Sequence, residues 1–251
     1  MTHAQLDQTS PLVIGGTGGS GTRAVKRIVD VTGRFMGSRL NASDDALDLA
    51  RFDWDWGLRG LEFGASDEMR AAFQTALDDH LEPAPALTTS WGWKHPHSYL
   101  LLEFLDAWFA GLRFVHVVRD GCDMALSENQ NQLRHYGGLL LEDAGADAPA
   151  PVRSLSFWAE ANLRAAEYGE RRLGERYLRV RFEDLCAEPA TEARRLMAFT
   201  GGQVDETSVS AAVAEVRPPE TVGRGAGVCD PAELPTVARK ALEAFGYLEP
   251  R

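Results

Sequence analysis

A short apolar run, Leu12-Val13-Ile14, stops in a stretch made almost wholly of glycine and hydroxyl residues, Gly15-Gly16-Thr17-Gly18-Gly19-Ser20-Gly21-Thr22. Directly beyond it Ala24, Val25, Ile28 and Val29 recur at helical spacing. The pattern reads as strand, glycine loop and helix. Such a unit points several backbone N–H groups and the positive end of a helix at one place, which makes an anion site. Arg23 stands next to it in the sequence.

The rest of the chain repeats the alternation. Asp44 to Phe52 and Asp67 to Leu81 have helical spacing, Pro83 to Pro85 marks a loop, and Trp91-Gly92-Trp93 reads as a second strand. Pro96 suits the first turn of a helix that carries Leu100, Leu101, Phe104, Leu105 and Trp108 on one face. Arg113-Phe114-Val115-His116-Val117-Val118 is nearly apolar throughout, as a parallel strand covered on both faces must be, and belongs at the sheet centre. Further on, 137–151 reads as a loop, Ser154 to Leu173 as a helix, Tyr177 to Val180 as a strand and Thr191 to Phe199 as a helix. The segment 217–230, with two prolines and three glycines, reads as a surface loop or lid. The order predicts an α/β fold, a three-layer arrangement with a central, mainly parallel sheet flanked by helices. One domain over 1–251 is expected, because a chain of 251 residues with 44% hydrophobic side chains can bury a core without metals or disulfides.

Composition narrows the partners. With 26 Lys and Arg against 37 Asp and Glu, the formal charge is -11, so the overall field repels phosphate backbones and anionic lipid, and nucleic acid and membrane are not expected as partners. Cys122, Cys186 and Cys229 are odd in number and widely spaced; neither a zinc site nor a disulfide framework is expected, and a cytoplasmic setting fits that pattern. No run approaches the ~20 apolar residues of a membrane span.

The glycine loop admits three chemical readings. Gly16-Thr17-Gly18-Gly19-Ser20-Gly21 satisfies G-x-G-x-x-G, and a dinucleotide site would place Phe35-Met36 on the next strand and Arg39 on an NADP phosphate, making an oxidoreductase. The same stretch comes close to the loop of P-loop kinases, but Thr22 stands where the lysine belongs and Arg23 where the magnesium-binding hydroxyl belongs. A third reading keeps the anion nest and dispenses with metal. A sulfuryl group fits it, since it carries one negative charge less than a phosphoryl group.

Downstream segments bear on that choice. Lys94-His95-Pro96, then Phe114-Val115-His116-Val117-Val118-Arg119-Asp120-Gly121 leading to Ser127, then Val180-Arg181-Phe182-Glu183-Asp184-Leu185 with Pro189, and finally Phe245-Gly246-Tyr247 occur in that order. Together with the P-loop-like glycine stretch they resemble the sulfotransferases that use 3′-phosphoadenosine 5′-phosphosulfate (PAPS), above all the Golgi-type protein-tyrosine and heparan sulfate enzymes and their bacterial relatives. The resemblance implies roles. Arg119 and Ser127 would share the 3′-phosphate, as an Arg leaving a buried strand and a helix hydroxyl can. Gly18, Gly19, Ser20, Gly21, Thr22 and Arg23 would hold the 5′-phosphosulfate. Phe182 replaces a family Tyr and keeps its apolar face against the cofactor, while Arg224 and Gly225 would close over the 3′ end. The family's loop cation is missing at Gly18-Gly19, so Lys94 and Arg23 would have to supply that charge.

Lys94, matching the Lys of the family's K-x-P, is the expected stabiliser of charge on the sulfuryl oxygens and the leaving phosphate. For the general base, the resemblance implies a carboxylate beyond the glycine loop, where this chain has Asn41-Ala42-Ser43-Asp44-Asp45. Asp45 or Asp44 leads, although Asp44 equally suits a helix N-cap. His95 and His97 are the alternative, since imidazole titrates near neutrality. His116, central in an apolar strand, reads as a packed sheet residue. No metal is expected. The acceptor implied is a small hydroxylated molecule or a carbohydrate, and Trp54, Trp56, Trp91 and Trp93 could line a face for it or belong to the core.

Overall fold

The computed structural model describes residues 10–85, 90–141, 148–202, 204–226, 229–230 and 233–248. Of the expected loops, 142–147 and 227–228 lie outside the described residues. Four strands, β1 (Leu12–Gly16), β2 (Gly92–Lys94), β3 (Arg113–Val118) and β4 (Tyr177–Arg181), form one sheet in the order β2-β1-β3-β4. Every pairing is parallel.

Alternation along the strands builds the layers, because successive side chains point to opposite faces. Val13 and Phe114 face one way, into a core with Phe52, Phe73, Trp91, Trp93 and Phe157. Leu12, Ile14, Val115, Val117 and Val180 face the other way, toward Val25, Ile28, Leu196 and Met197. The helices that supply the first core include α2 (Leu47–Phe63), α3 (Asp67–Leu81) and α7 (Ala150–Tyr168). The second is covered by α1 (Thr22–Asp30), α8 (Phe182–Ala187), α9 (Pro189–Thr200) and α10 (Glu206–Ala214). A helix-sheet-helix sandwich results, as the alternation predicts.

Register decides where chemistry can gather. Ile14 is level with both Lys94 and Val115, and Gly16 with Val117. The carboxyl ends of β1, β2 and β3 therefore open on the same edge. The chain leaves β1 for β2 on one side and then passes back to β3 on the other, so a crevice opens where the connections part, the usual ligand position in such sheets.

Several boundaries differ from the sequence expectation. The helix expected at Asp44 begins at Leu47, because the Asn41 side-chain oxygen accepts from the Ser43 and Asp45 amides and Asp44 takes φ 61°, a turn that no helix can enter. Asp44 is thus no N-cap. Pro96 opens a 3-10 turn, Pro96–Tyr99, and the helix proper, α4, is Leu102–Trp108. The 137–151 loop starts later than expected, since α6 runs Asn131–Leu140. The helix expected from Ser154 starts at Ala150, with Pro in its first turn, and passes at Tyr168 into a π turn, Gly169–Leu173.

One expectation is overturned. Cys122 and Cys229 form a disulfide with Cα atoms 6.1 Å apart across 107 residues of sequence. Spacing could not reveal it, because the partners meet only when α5 (Gly121–Ala125) and the segment after residue 217 pack together. Among the described residues no helix is long and apolar enough to cross a membrane.

Candidate active site

A cleft of about 510 Å³ opens at the carboxyl edge of the sheet, within the size range of small-molecule sites. The glycine loop (Gly18, Gly19, Gly21, Thr22 and Arg23), Lys94, Asp45 and Pro96, and Arg119 and Phe182 all line it. Five cationic side chains, Arg23, Arg27, Lys94, Arg119 and Arg217, line it against two carboxylates, Asp45 and Glu215. The local balance is positive in a chain whose net charge is -11.

The glycine loop is shaped by contact. Gly21 has φ 98°, and a Cβ there would overlap the Phe182 ring, so only glycine lets the loop lie against that aromatic face. Gly21 also precedes α1 with no side-chain cap, which leaves the first-turn amides of α1 without a side-chain acceptor. Behind the loop, Gly18 N donates to Gln132 Oε1 at 3.3 Å and Gln132 Nε2 donates to the Gly16 carbonyl at 3.2 Å. Ser20 is completely buried and its hydroxyl has no partner among the described residues, so it sits under the loop rather than in the cleft.

Lys94 is 1% exposed, which removes the reading of an ordinary surface lysine. Its ammonium donates to Asp45 Oδ1 at 2.5 Å and to the Ser43 carbonyl at 2.6 Å. Burial lowers its pKa, with the Asp45 carboxylate opposing. Two residues given separate catalytic roles from the sequence are therefore in contact. Asp44 turns away and accepts from Arg27 Nε at 3.1 Å.

The histidines separate cleanly. His95 Nδ1 lies 2.5 Å from Asp53 Oδ2, and both residues are buried beside Lys94. Ser98 Oγ donates to the same carboxylate oxygen at 3.0 Å. His97 contacts the Tyr136 hydroxyl at 3.2 Å and its pKa falls to about 2, chiefly through burial and then through His95 and His135, so it stays neutral and is no proton acceptor near neutral pH. His116 is held between Tyr177 OH at 2.7 Å and Asn162 Oδ1 at 2.9 Å, a packed sheet residue as expected. Trp91 and Trp93 are core, Trp56 packs at its margin, and Trp54 is 39% exposed over His97 and His135.

Arg119 is 5% exposed and its guanidinium carbon lies 5.6 Å from the Phe182 centroid. One of its terminal nitrogens donates to Asp123 Oδ2 at 3.1 Å and to the Thr221 hydroxyl and carbonyl, while its Nε is buried with no partner among the described residues. Ser127 lines a neighbouring groove instead of the main cleft, although its hydroxyl stands 3.9 Å from where a Cβ on Gly19 would be. Arg224 and Gly225 do not line the cleft: Arg224 donates to the Asp123 carbonyl and Gly225 N to Asp123 Oδ1. Asp53, Asp123 and Arg217 carry no motif in the sequence, and only the tertiary fold brings them here.

The dinucleotide reading does not survive this geometry. Phe35 makes only an isolated bridge to Trp91, and Arg39 is taken up by Asp48, Glu82 and the Asp79 carbonyl, outside the cleft.

Comparison with known proteins agrees with the architecture. Residues 11–206 match the model of the "Sulfotransferase family". Human Carbohydrate sulfotransferase 6 is 37% identical over 98 residues, 36% of this chain and 25% of that protein, and mouse Carbohydrate sulfotransferase 5 is 35% identical over a stretch of the same length. The chain thus matches about a quarter of the length of these curated relatives. Among solved structures, the sulfotransferase domain from the curacin biosynthetic pathway superposes with a TM-score of 0.61 at 14% identity, over 96% of this chain and 99% of that one. Sulfotransferase STF9 from Mycobacterium avium gives 0.59 at 13%, over 97% and 79%. These likenesses carry the P-loop-like fold, and the match over 11–206 carries the family: the chain belongs to the sulfotransferases.

Proposed function

We propose that this protein moves a sulfuryl group from PAPS to a hydroxyl or amine of a small-molecule or carbohydrate acceptor by in-line displacement, without a metal. The observation that carries the reading is the convergence of the capless glycine loop, Lys94, Arg119 and Phe182 on one positively lined cleft. The residues fit the donor's chemistry. Loop amides and Arg23 suit a 5′-phosphosulfate, the orphaned Nε of Arg119 suits the second phosphate that distinguishes PAPS from ATP, and Phe182 offers a flat apolar face. Ser127 beside Gly19 completes the anion shell from the neighbouring groove. The carbohydrate option draws on the likeness to the human and mouse carbohydrate sulfotransferases.

Lys94 stabilises charge at the sulfuryl oxygens and the leaving phosphate, and Asp45 takes the acceptor proton. As the two stand, each neutralises the other. When the donor's anion draws the ammonium away, the carboxylate is released as a base, which couples donor binding to activation of the acceptor. A second reading of the base rests on the buried Asp53–His95 contact, in which the carboxylate holds the ring in one orientation. Asp45→Asn decides between them: it should lower turnover by about 10²–10⁴-fold, the range for a lost general base, while 3′,5′-ADP still binds. Wild-type turnover in Asp45→Asn with a comparable loss in His95→Gln would assign the role to His95.

The donor is tested by calorimetry with 3′,5′-ADP and 5′-AMP. 3′,5′-ADP should bind far more tightly, by a margin that Arg119→Ala removes. Equal binding of the two nucleotides rejects the donor, and a strict magnesium requirement for turnover in place of activity in EDTA returns the kinase reading.

A further inference from the structure

Asp123, in α5 just beyond Arg119, is completely buried and organises a loop from the far end of the chain. Its Oδ1 accepts from Gly225 N at 2.7 Å and its Oδ2 from Gly223 N at 2.8 Å, while its carbonyl accepts from Arg224 Nε at 3.1 Å and Nη2 at 2.9 Å. Gly225 lies so close to the Cys122–Asp123 backbone that a Cβ would overlap it. The same loop touches the cleft twice. Thr221 accepts from Arg119, and Arg217 and Pro219 line the cleft directly.

The disulfide belongs to this construction. Cys122 immediately precedes Asp123, and its partner Cys229 lies four residues beyond Gly225. Apart from the bridge, the described residues of the loop form no helix or strand and are held by the Asp123 carboxylate and carbonyl, by Arg119 on Thr221 and by the packing of Val222. Segments held by so few contacts open at low free energy. The covalent tie fixes the far end of the loop to α5 and so keeps the hydrogen bonds to Asp123 formed.

We infer that the Cys122–Cys229 bridge is a redox latch on the donor cleft: opening it frees the 217–226 loop, loosens Arg119 and Arg217, and weakens nucleotide binding. The inference rests on the donor reading above. The step is thiol–disulfide exchange with a dithiol reductant. One reductant thiolate attacks Cys229 Sγ, which is half-buried and the more accessible end, and expels Cys122 as a thiolate. The second reductant thiol then resolves the mixed disulfide, so two electrons and two protons pass to the cysteine pair and the reductant leaves as a disulfide. Linkage makes the effect reciprocal: whatever factor reduction removes from nucleotide affinity, bound nucleotide adds to the stability of the bridge.

The experiment is hydrogen exchange and calorimetry on the full chain, air-oxidised and after dithiothreitol. Reduction should speed exchange at the Gly223 and Gly225 amides and weaken 3′,5′-ADP binding about tenfold, within the usual range of coupling between two sites. Saturating 3′,5′-ADP should lower the reduction potential of the bridge by about 30 mV, the same factor for a two-electron couple. Cys229→Ser should behave as reduced in both conditions, and Cys186→Ser as wild type. Three alkylatable thiols in the oxidised protein, or unchanged exchange at Gly223 and Gly225 after reduction, overturns the latch. Oxidised protein that binds no 3′,5′-ADP overturns the donor reading instead, and the exchange data still decide whether the bridge holds the loop.

Discussion

Lys94 and Asp123 are both buried charges, and each is tolerable only because the fold supplies an opposite charge at hydrogen-bond distance. For Lys94 that partner stands where a transferring group must pass. Lys94→Ala should therefore lower kcat by about 10²–10³-fold, the loss typical of one preorganised charge donor, and change 3′,5′-ADP affinity only a few-fold. Steady-state kinetics beside calorimetry separates the two, and an alanine variant at wild-type rate would place the catalytic centre elsewhere. Since burial lowers the Lys94 pKa from 10.5, the alkaline limb of kcat/KM should fall below that value. Asp123 answers to stability. Removing it leaves Arg119 buried without its counterion, so Asp123→Ala should cost about 3–5 kcal/mol in urea unfolding. A loss under about 1 kcal/mol would mean that Arg119 finds other partners. The position of Lys94 was legible because an apolar strand and a proline bracket it. Its counterion was not, since Asp45 lies 49 residues earlier in the chain. Asp123 was not legible at all: nothing local separates it from any other acid in the first turn of a helix.

Strands and the glycine loop were readable because their signals are local. A strand covered on both faces must be apolar throughout, which marked β1 and β3, and glycines at positive φ marked the turn between β1 and α1. The start of α2 was misplaced because an Asn41 side-chain turn overrides helical spacing from Ser43 to Asp45. The late loop was recognisable as a loop, yet its attachment rests on contacts with residues about a hundred positions away. Gly21 gives this level its test. With φ 98° and the Phe182 ring against it, Gly21→Ala meets a backbone penalty of about 1–2 kcal/mol and a steric overlap as well. The ring or the loop must move, so nucleotide affinity should fall together with the melting temperature. Unchanged affinity in a destabilised variant would show that the Phe182 face takes no part in binding.

The sheet links the cleft to the stability of the entire chain through neutral histidines. His116 Nε2 donates to Asn162 Oδ1, and Tyr177 OH donates to His116 Nδ1. Asn162 Nδ2 in turn donates to Thr17 Oγ1 at 3.0 Å, in the glycine loop. This relay runs through the neutral ring, because protonation would take away Nδ1 as the acceptor of the tyrosine's hydrogen. Burial accordingly lowers the His116 pKa from 6.5 to about 4, and burial also lowers those of His80 and His97. The sign follows from proton uptake. Between the folded and unfolded pKa values the unfolded chain binds more protons, so stability is complete above about pH 6.5 and drains away as the pH falls. For His116 the interval from 6.5 to about 4 corresponds to about 3 kcal/mol. Urea unfolding from pH 7.5 down to 4 should show this loss, and His116→Asn, which cannot titrate, should flatten the slope even though it starts less stable. A variant whose stability falls as steeply as the wild type's would assign the acid sensitivity to other groups and leave the relay from β3 to the glycine loop without a titrating member.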